Sequence, residues 1–405
     1  MIAAIAWRNI WRNRLRSSIV IAAIALGLFG GLFSIAFMEG LADQTLKTAI
    51  SQYLSHIQLH HPLFPDNEEL MYRISDADSL VKQLTCVPVV AAAARRYRVR
   101  AMASTANGNA GVEILGIDPE IERTITTIHE KIVAGGYFNE ARRNPIVIGG
   151  RLAEKLKVGP GRKIVLTAQA EDGTLIGGAF RIAGLYHTGN SLIEESQVYA
   201  LNRDLSRLLE LPEEESHEIA LLLKDPDQLT AASGLLAARF PELKVETWRE
   251  IAPELGVLQG YMQQMMFLFL VIVLIALAFG IVNTMLMAIV ERTRELGLLM
   301  ALGMKRMRIF VMIMLETVFL SLTGGATGMA VTAAAIRFTS PHGIDLSYFG
   351  EGLSAMGYAA RICPQLDEIY YLALTIMVIL TAILASIFPA RRALRLQPAE
   401  AVRIE

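Results

Sequence analysis

The sequence predicts an α-helical membrane protein with four transmembrane helices and a large α+β extracytoplasmic domain inserted between the first and second spans. Three observations carry that prediction. Of 405 residues, 53% are hydrophobic and only 19% charged, and the mean hydropathy is +0.41, too apolar for an ordinary water-soluble chain. Four stretches nearly exclude charge and exceed the roughly 20 apolar residues that one span needs. Residues 41–254 contain no such stretch and show the mixed periodicities of a globular unit. The formal net charge of -1 and the lack of a long Lys/Arg run exclude nucleic acid as the main partner. Two cysteines, Cys86 and Cys363, are too few for a disulfide scaffold or a structural zinc site.

In chain order, residues 1–16 form a cytoplasmic N-terminal segment rich in arginine. The first span, 17–40, is built on the uncharged run Ser17–Met38, whose Gly27 and Gly31 have the small-xxx-small spacing of close helix contacts in lipid. A cleaved signal peptide is the alternative, but the run is longer than the usual apolar core of one. Residues 255–290 give a stalk and the second span, and 291–308 a short cytoplasmic segment. The third span, 309–336, carries one acid, Glu316, and a second Gly-xxx-Gly pair at Gly324 and Gly328. A short extracytoplasmic loop, 337–368, leads to the fourth span, 369–390, which is expected to stop at Pro389 and Arg391 before a cytoplasmic tail, 391–405. Orientation follows from the retention of Lys and Arg on the cytoplasmic side. Arg8, Arg12, Arg14 and Arg16, then Arg292, Arg294, Lys305, Arg306 and Arg308, then Arg391, Arg392, Arg395 and Arg403 share one side, whereas the short opposite loop has only Arg337 and Arg361. Both termini are therefore expected in the cytoplasm.

Inside 41–254, Leu41–Leu54 reads as a helix continuing from the first span, and Ile57–Leu59 as a strand before the turn-rich His61–Asp66. Further strands are expected at Val112–Ile117, Ile146–Ile148, Lys163–Ala168, Ala179–Tyr186, Gln197–Ala200 and Glu218–Leu223, with helix at Arg151–Leu156 and Pro226–Phe240.

The most informative segment is Glu291-Arg-Thr-Arg-Glu-Leu-Gly-Leu-Leu-Met-Ala-Leu-Gly-Met-Lys-Arg306. Leu296, Leu299, Met300 and Met304 recur at helical spacing, so a short amphipathic helix can lie along the membrane face or present its ridge to a groove in a partner; a loop that only sets topology has the same charge. This run resembles the signature between the second and third spans of four-span ABC permeases of the FtsX and MacB type. The opening Ala6-Trp-Arg-Asn-Ile-Trp-Arg-Asn-Arg14 and the closing Pro389-Ala-Arg-Arg-Ala-Leu-Arg-Leu-Gln-Pro-Ala-Glu-Ala-Val-Arg403 are similar to that family's start and end. Gly116-Ile-Asp-Pro119, Val147-Ile-Gly-Gly-Arg-Leu-Ala153 and Gly178-Ala-Phe-Arg-Ile-Ala183 look most like its lipoprotein-releasing LolC/LolE branch.

The resemblance implies a bacterial inner-membrane permease subunit that works with a separate ABC ATPase, which binds ATP and Mg, and with a second permease subunit in a homo- or heterodimer. It also implies a lipoprotein substrate and a periplasmic acceptor. Residues 291–308 become a coupling helix: Glu291, Arg292, Arg294 and Glu295 would supply charged pairing at the docking rim, Leu296, Leu299 and Leu302 would fill the ATPase groove, and Gly297 and Gly303 would permit close approach and the turn. Met300 departs from the family, which often has a basic residue there. Drug or peptide efflux, signalling to cell-wall hydrolases, and a receptor or assembly factor without an ATPase are the competing functions. The chain has no Gly-xxxx-Gly-Lys-Ser/Thr loop for phosphates and no catalytic constellation, so it is expected not to be an enzyme, and no cofactor or metal site is expected within it.

Two polar residues lie within the spans. Glu316 is a functional suspect by default, but it sits roughly 10 Å into its helix at 1.5 Å per residue, a depth that favours a structural contact with a neighbouring helix or an Arg over a proton relay. Asn283 reads as an interhelical hydrogen-bond donor rather than a substrate ligand. His56, His60 and His61 have a spacing that metals use, but they alternate like a strand. Glu213, Glu214 and Glu215 read as a solvated acidic loop.

Overall fold

The computed structural model describes residues 2–138, 143–346, 348, 352 and 361–394. Arg395, Arg403 and much of the 337–368 loop lie outside the described residues. The chain divides into two compact units, one of residues 1–42, 259–344 and 362–405, the other of 43–258 with 345–361.

Two helices open the chain. α1 (Ile2–Arg12) is amphipathic and buries Ala6 and Ile10. α2 (Arg14–Ala49) carries the first apolar run and continues beyond it, ending in a π-helical turn at Ile50–Leu54. The sequence showed α1 only as an arginine-rich flank. As a helix it turns Trp7 edge-on to Phe319, with centroids 5.9 Å apart.

The α+β unit is organised by one ten-stranded sheet. Its elements are β1 (Ile57–His60), α3 (Phe64–Asn67), α4 (Ala77–Thr85), β2 (Val90–Thr105), β3 (Gly108–Ile117), α5 (Pro119–Glu122), β4 (Ile132–Gly135), β5 (Pro145–Gly149) and α6 (Gly150–Leu156). They continue with β6 (Lys163–Gln169), β7 (Leu175–Tyr186), α7 (Ser191–Ser196), β8 (Gln197–Leu201), α8 (Asn202–Leu209), β9 (Glu218–Leu223), α9 (Leu229–Arg239), β10 (Lys244–Thr247) and α10 (Trp248–Ile251). The strand order is β10-β1-β9-β2-β3-β8-β5-β7-β4, with β6 bridging β2 and β7. Each strand expected from the sequence is present. β2, β4 and β10 were not foreseen, and β2 is the longest strand. Its first half pairs antiparallel with β9 and its second half with β3 and β6. It therefore serves two cores, one around Ile57, Leu59, Leu84, Leu221 and Leu236 and one around Tyr97, Ile114, Ile146, Leu166 and Phe180.

At the middle of β2 the core is ionic. Arg96 is buried and donates Nε and Nη2 to Glu122 at 3.1 and 2.7 Å, and Nη1 to Glu218 at 2.8 Å. Arg98 donates to the second Glu218 oxygen at 3.2 Å and to Glu113 at 3.0 Å. Every charge in the group has a partner, as burial in a low dielectric requires. Burial pushes the Glu218 carboxyl up, and Arg96 and Arg98 more than reverse that, holding it below the ordinary range.

In the acidic cluster Glu213 and Glu214 are exposed, as expected of a solvated loop, and Glu215 is half-buried. Arg73 bonds Glu215 at 2.5 Å, Arg95 donates to the Glu213 carbonyl, and the Glu214 carbonyl accepts from Ala77. The three histidines have separate surroundings. His60 stacks on Phe64, His61 stacks on Tyr72, and His56 accepts from the Leu223 amide. Cys86 and Cys363 are free thiols.

His217 makes this unit acid-sensitive. Its Nδ1 accepts from the Arg98 amide and its Nε2 donates to the Leu70 carbonyl, both at 3.2 Å, and burial pushes its pKa down to about 4. The unfolded chain binds this proton more readily, so stability is lost as pH falls from 6.5 towards about 4, by up to roughly 3 kcal/mol. Glu218, with its depressed carboxyl, adds loss in the same direction at lower pH. Urea unfolding of the detergent-solubilised chain should show this acid slope, and His217→Gln should flatten it between pH 6.5 and 4.5. An unchanged slope in the variant would refute the assignment to His217.

The chain continues as α11 (Pro253–Glu291), α12 (Thr293–Ala301), α13 (Arg306–Thr339) and α14 (Glu368–Leu394). Among the described residues four helices, counting α2, are long and apolar enough to cross a membrane. The glycine pairs work as the sequence predicted. A Cβ at Gly27 would lie 2.9 Å from Leu277 of α11, and one at Gly328 would lie 2.9 Å from the Ala25 carbonyl of α2, so small residues permit these close crossings.

Two expectations fail here. α14 does not stop at Pro389 but runs through it to Leu394. Pro389, Ala390 and Ala393 are all buried, so packing on both sides of the proline offsets the hydrogen bond it cannot donate. Asn283 is exposed on α11, with no interhelical hydrogen bond among the described residues, because the face of α11 that carries it does not turn inward.

Candidate functional site

The segment between α11 and α13 forms a helical hairpin. At Arg292 the backbone leaves the helical region, with φ -106° and ψ 14°, and α12 begins at the next residue. Thr293 supports the corner by donating Oγ1 to the Ile289 carbonyl at 3.1 Å. At the far end Gly303 takes φ +89°, a left-handed conformation that glycine adopts without strain. Its amide bonds the Met300 carbonyl and that of Met304 bonds Leu299, both at 3.0 Å. Gly303 thus makes the turn the sequence assigned to it, and Gly297 is buried.

Three charged residues of this segment, Glu291, Arg292 and Glu295, are paired within the chain. Arg292 donates Nη1 to both oxygens of Glu316, at 3.0 and 3.1 Å, and Nε to Glu295 at 3.2 Å. Arg12 grips Glu295 through Nη2 at 2.9 and 2.7 Å, and Arg16 pairs with Glu291. Asn9 lies beside this group. Partial burial pushes the Glu295 carboxyl up, but bonds from Arg12 and Arg292 hold it below its ordinary value. The group lines a polar cavity of about 310 Å³. It ties α1, α2, α11, α12 and α13 together, and Glu316 makes the arginine contact its depth suggested.

The leucines of α12 divide between an inward and an outward face. Leu296 is 2% exposed and belongs to the chain's own core, with Leu299 packed against it. Leu302 is 77% exposed and Leu298 55%, and Arg294 is also exposed. The free face of α12 is therefore Arg294, Leu298 and Leu302, spaced four apart. Glu291, Arg292 and Glu295 pair with the N-terminal arginines and Glu316, while Glu291 and Glu295 remain exposed. Leu298, Asn9, Arg12 and Arg16 were missed as site residues; the four-residue spacing of Leu298 and Leu302 was the available signal. No group of side chains suited to a metal occurs among the described residues.

Long apolar helices, an α+β domain inserted after the first, and a short braced helix between the second and third define the permease subunit of an ABC transporter. The chain belongs to the family of FtsX-like permeases with a MacB-like periplasmic core domain: the model of the MacB-like periplasmic core domain matches residues 17–239 and that of the FtsX-like permease C-terminal region matches 267–398. It is a bacterial inner-membrane, multi-pass protein by that membership. It is 24% identical to the lipoprotein-releasing system transmembrane protein LolC of Neisseria meningitidis, over 95% of this chain and 93% of that one. To LolC of Haemophilus influenzae it is 22% identical, over 97% and 94%. It is also 22% identical to the pyoverdine export ATP-binding/permease protein PvdT of Pseudomonas syringae, over 99% of this chain but 59% of the relative.

Proposed function

We infer that this subunit releases lipoproteins from the inner membrane, passing them to a soluble periplasmic acceptor. A separate cytoplasmic ATPase, loaded with ATP and Mg, would supply the work. The observation that carries this reading is the end-to-end similarity to two lipoprotein-releasing transmembrane proteins, over more than nine-tenths of each chain. The chemistry agrees. Withdrawing an acyl chain costs about 0.8 kcal/mol per CH₂, and α2 and α11 border an apolar cavity of about 640 Å³ with Gly27, Gly30, Gly31 and Gly280 in its walls.

In this reading both termini and α12 are cytoplasmic, the α+β domain is extracytoplasmic, and two permease subunits, alike or different, make one transporter. The free face of α12 docks on the ATPase. Motion imposed there passes through the Arg292 bonds into α13 and through the continuous helix α11 toward the domain.

Reconstitution of the permease with its ATPase, given a triacylated lipoprotein in one preparation and a macrolide in the other, tests the cargo. ATP-dependent release of the lipoprotein alone is expected; transport of the macrolide alone would favour export, the role that the name of the PvdT relative gives it. Leu298→Asp and Leu302→Asp should each weaken ATPase co-purification about ten-fold or more, the scale of a buried interface anchor. Leu296→Met, on the inward face, should leave it unchanged. The reverse pattern would refute the docking face.

A further inference from the structure

The α+β unit contains a cavity that the coupling reading leaves unused. Its volume is about 860 Å³, within the range of small-molecule sites. Separate segments wall it: the end of α2 from Asp43, the Arg123–Thr127 loop, the start of α9, and Trp248 with Arg249. Leu46, Ile50, Leu229 and Trp248 make one part apolar, whereas Lys47, Arg123 and Arg249, with the acids Asp43 and Asp227, make another charged part in which cations exceed acids by one. Lys47 is held by Asp43 at 2.7 Å, and Arg123 reaches Glu120 at 3.5 Å. Arg249 stacks over Trp248 at 5.3 Å and has no ion pair among the described residues.

His56 identifies what is missing. It is 9% exposed and lines this cavity. Its backbone is fixed on both sides, donating to Leu221 at 2.9 Å and accepting from Trp248 at 3.1 Å. Its Nδ1 accepts the Leu223 amide at 3.1 Å, and burial pushes its pKa down. The neutral ring therefore carries its proton on Nε2, and no described residue accepts it. That donor opens onto the cavity, so a fitting ligand for this site carries an oxygen acceptor that also suits a free guanidinium and an apolar wall.

We propose that this cavity binds the phosphate headgroup of an anionic membrane phospholipid, such as phosphatidylglycerol. The phosphate meets His56 Nε2 and Arg249, and the glycerol and upper alkyl carbons lie along Leu46, Ile50 and Trp248. Chain connectivity favours a lipid over soluble phosphate. The helix that carries Leu46 and Lys47 also bears the first apolar run, and Arg249 closely precedes α11, which bears the second. The proposal rests on membership of a membrane permease family and is independent of the cargo and of ATPase docking.

The test uses the full chain in phosphatidylcholine nanodiscs doped with phosphatidylglycerol carrying a diazirine beside its headgroup. Adducts mapped by mass spectrometry are expected on residues 43–51, 123–127 and 248–249. Arg249→Glu should lower their yield at least about five-fold, the weight of one charge-assisted hydrogen bond; Arg249 is exposed, so the core is left intact. Independently, the ¹⁵N signal of the His56 ring should shift with phosphatidylglycerol and not with phosphatidylcholine alone. Adducts confined to the four apolar helices, or an undiminished yield in the variant, would overturn the proposal. If inorganic phosphate reproduces the His56 shift and abolishes the adducts, the ligand is soluble phosphate and the lipid assignment falls.

Discussion

Arg96→Met is expected to destabilise the α+β domain by about 3–5 kcal/mol, because it leaves Glu122 buried without its counter-charge and Glu218 with Arg98 alone. Few single substitutions in a domain of this kind should cost more. The loss comes from the orphaned carboxylates and not from the missing arginine as such, which a compensated variant can show. Arg96→Met combined with Glu122→Leu and Glu218→Leu should recover most of the stability, since an apolar replacement of similar volume removes the desolvation penalty. Arg98 would keep Glu113 as its partner. Trp248 is buried in this domain, so with Trp7 and Trp11 changed to Phe its fluorescence follows domain unfolding in urea. A triple variant no more stable than Arg96→Met would show that the ionic group is needed for its geometry as well as its neutrality.

Breaking the Arg292 and Glu316 pair should uncouple the transporter. Arg292→Ala leaves a nearly buried carboxylate, Glu316→Leu leaves a half-satisfied guanidinium, and each removes the bond joining the α11–α12 corner to α13. ATP-driven release is expected to fall about ten-fold or more in either variant, the consequence of losing a partner from a desolvated ion pair. ATPase binding should be kept, since neither residue lies on the free face of α12. The exchanged pair, Arg292→Glu with Glu316→Arg, should recover part of the loss. If the exchange is as defective as the sum of the single variants, the pair does not act as a unit.

The apolar helices were legible because lipid imposes length and excludes charge, two properties that composition records without reference to the fold. Seven strands of the domain were legible for a similar reason: Glu218-Ile-Ala-Leu-Leu-Leu223 and its counterparts have β-branched or apolar runs between turn residues. β2 was not. Val90-Ala-Ala-Ala-Ala-Arg-Arg favours helix by local propensity, and it is a strand because β9, β3 and β6 hydrogen-bond to it from both sides. Its buried arginine was equally hidden, since Glu122 and Glu218 reach Arg96 only through the tertiary structure. At α12 the helical period was legible, but its inward face was not. Leu296, Leu298, Leu299 and Leu302 surround the axis closely enough that only the arginines of α1 and α2, fixing Glu295 and Glu291, decide which leucines remain free.

The long strand shared by both cores has a further consequence for how this domain can come apart. A join between two independently stable bodies would offer proteases and recombination a seam, but here every candidate seam runs through hydrogen bonds belonging to both neighbours. The domain should therefore melt in a single step, and in the course of evolution its halves should be inherited together, with new material accepted at hairpin tips and never at the midpoint of that strand.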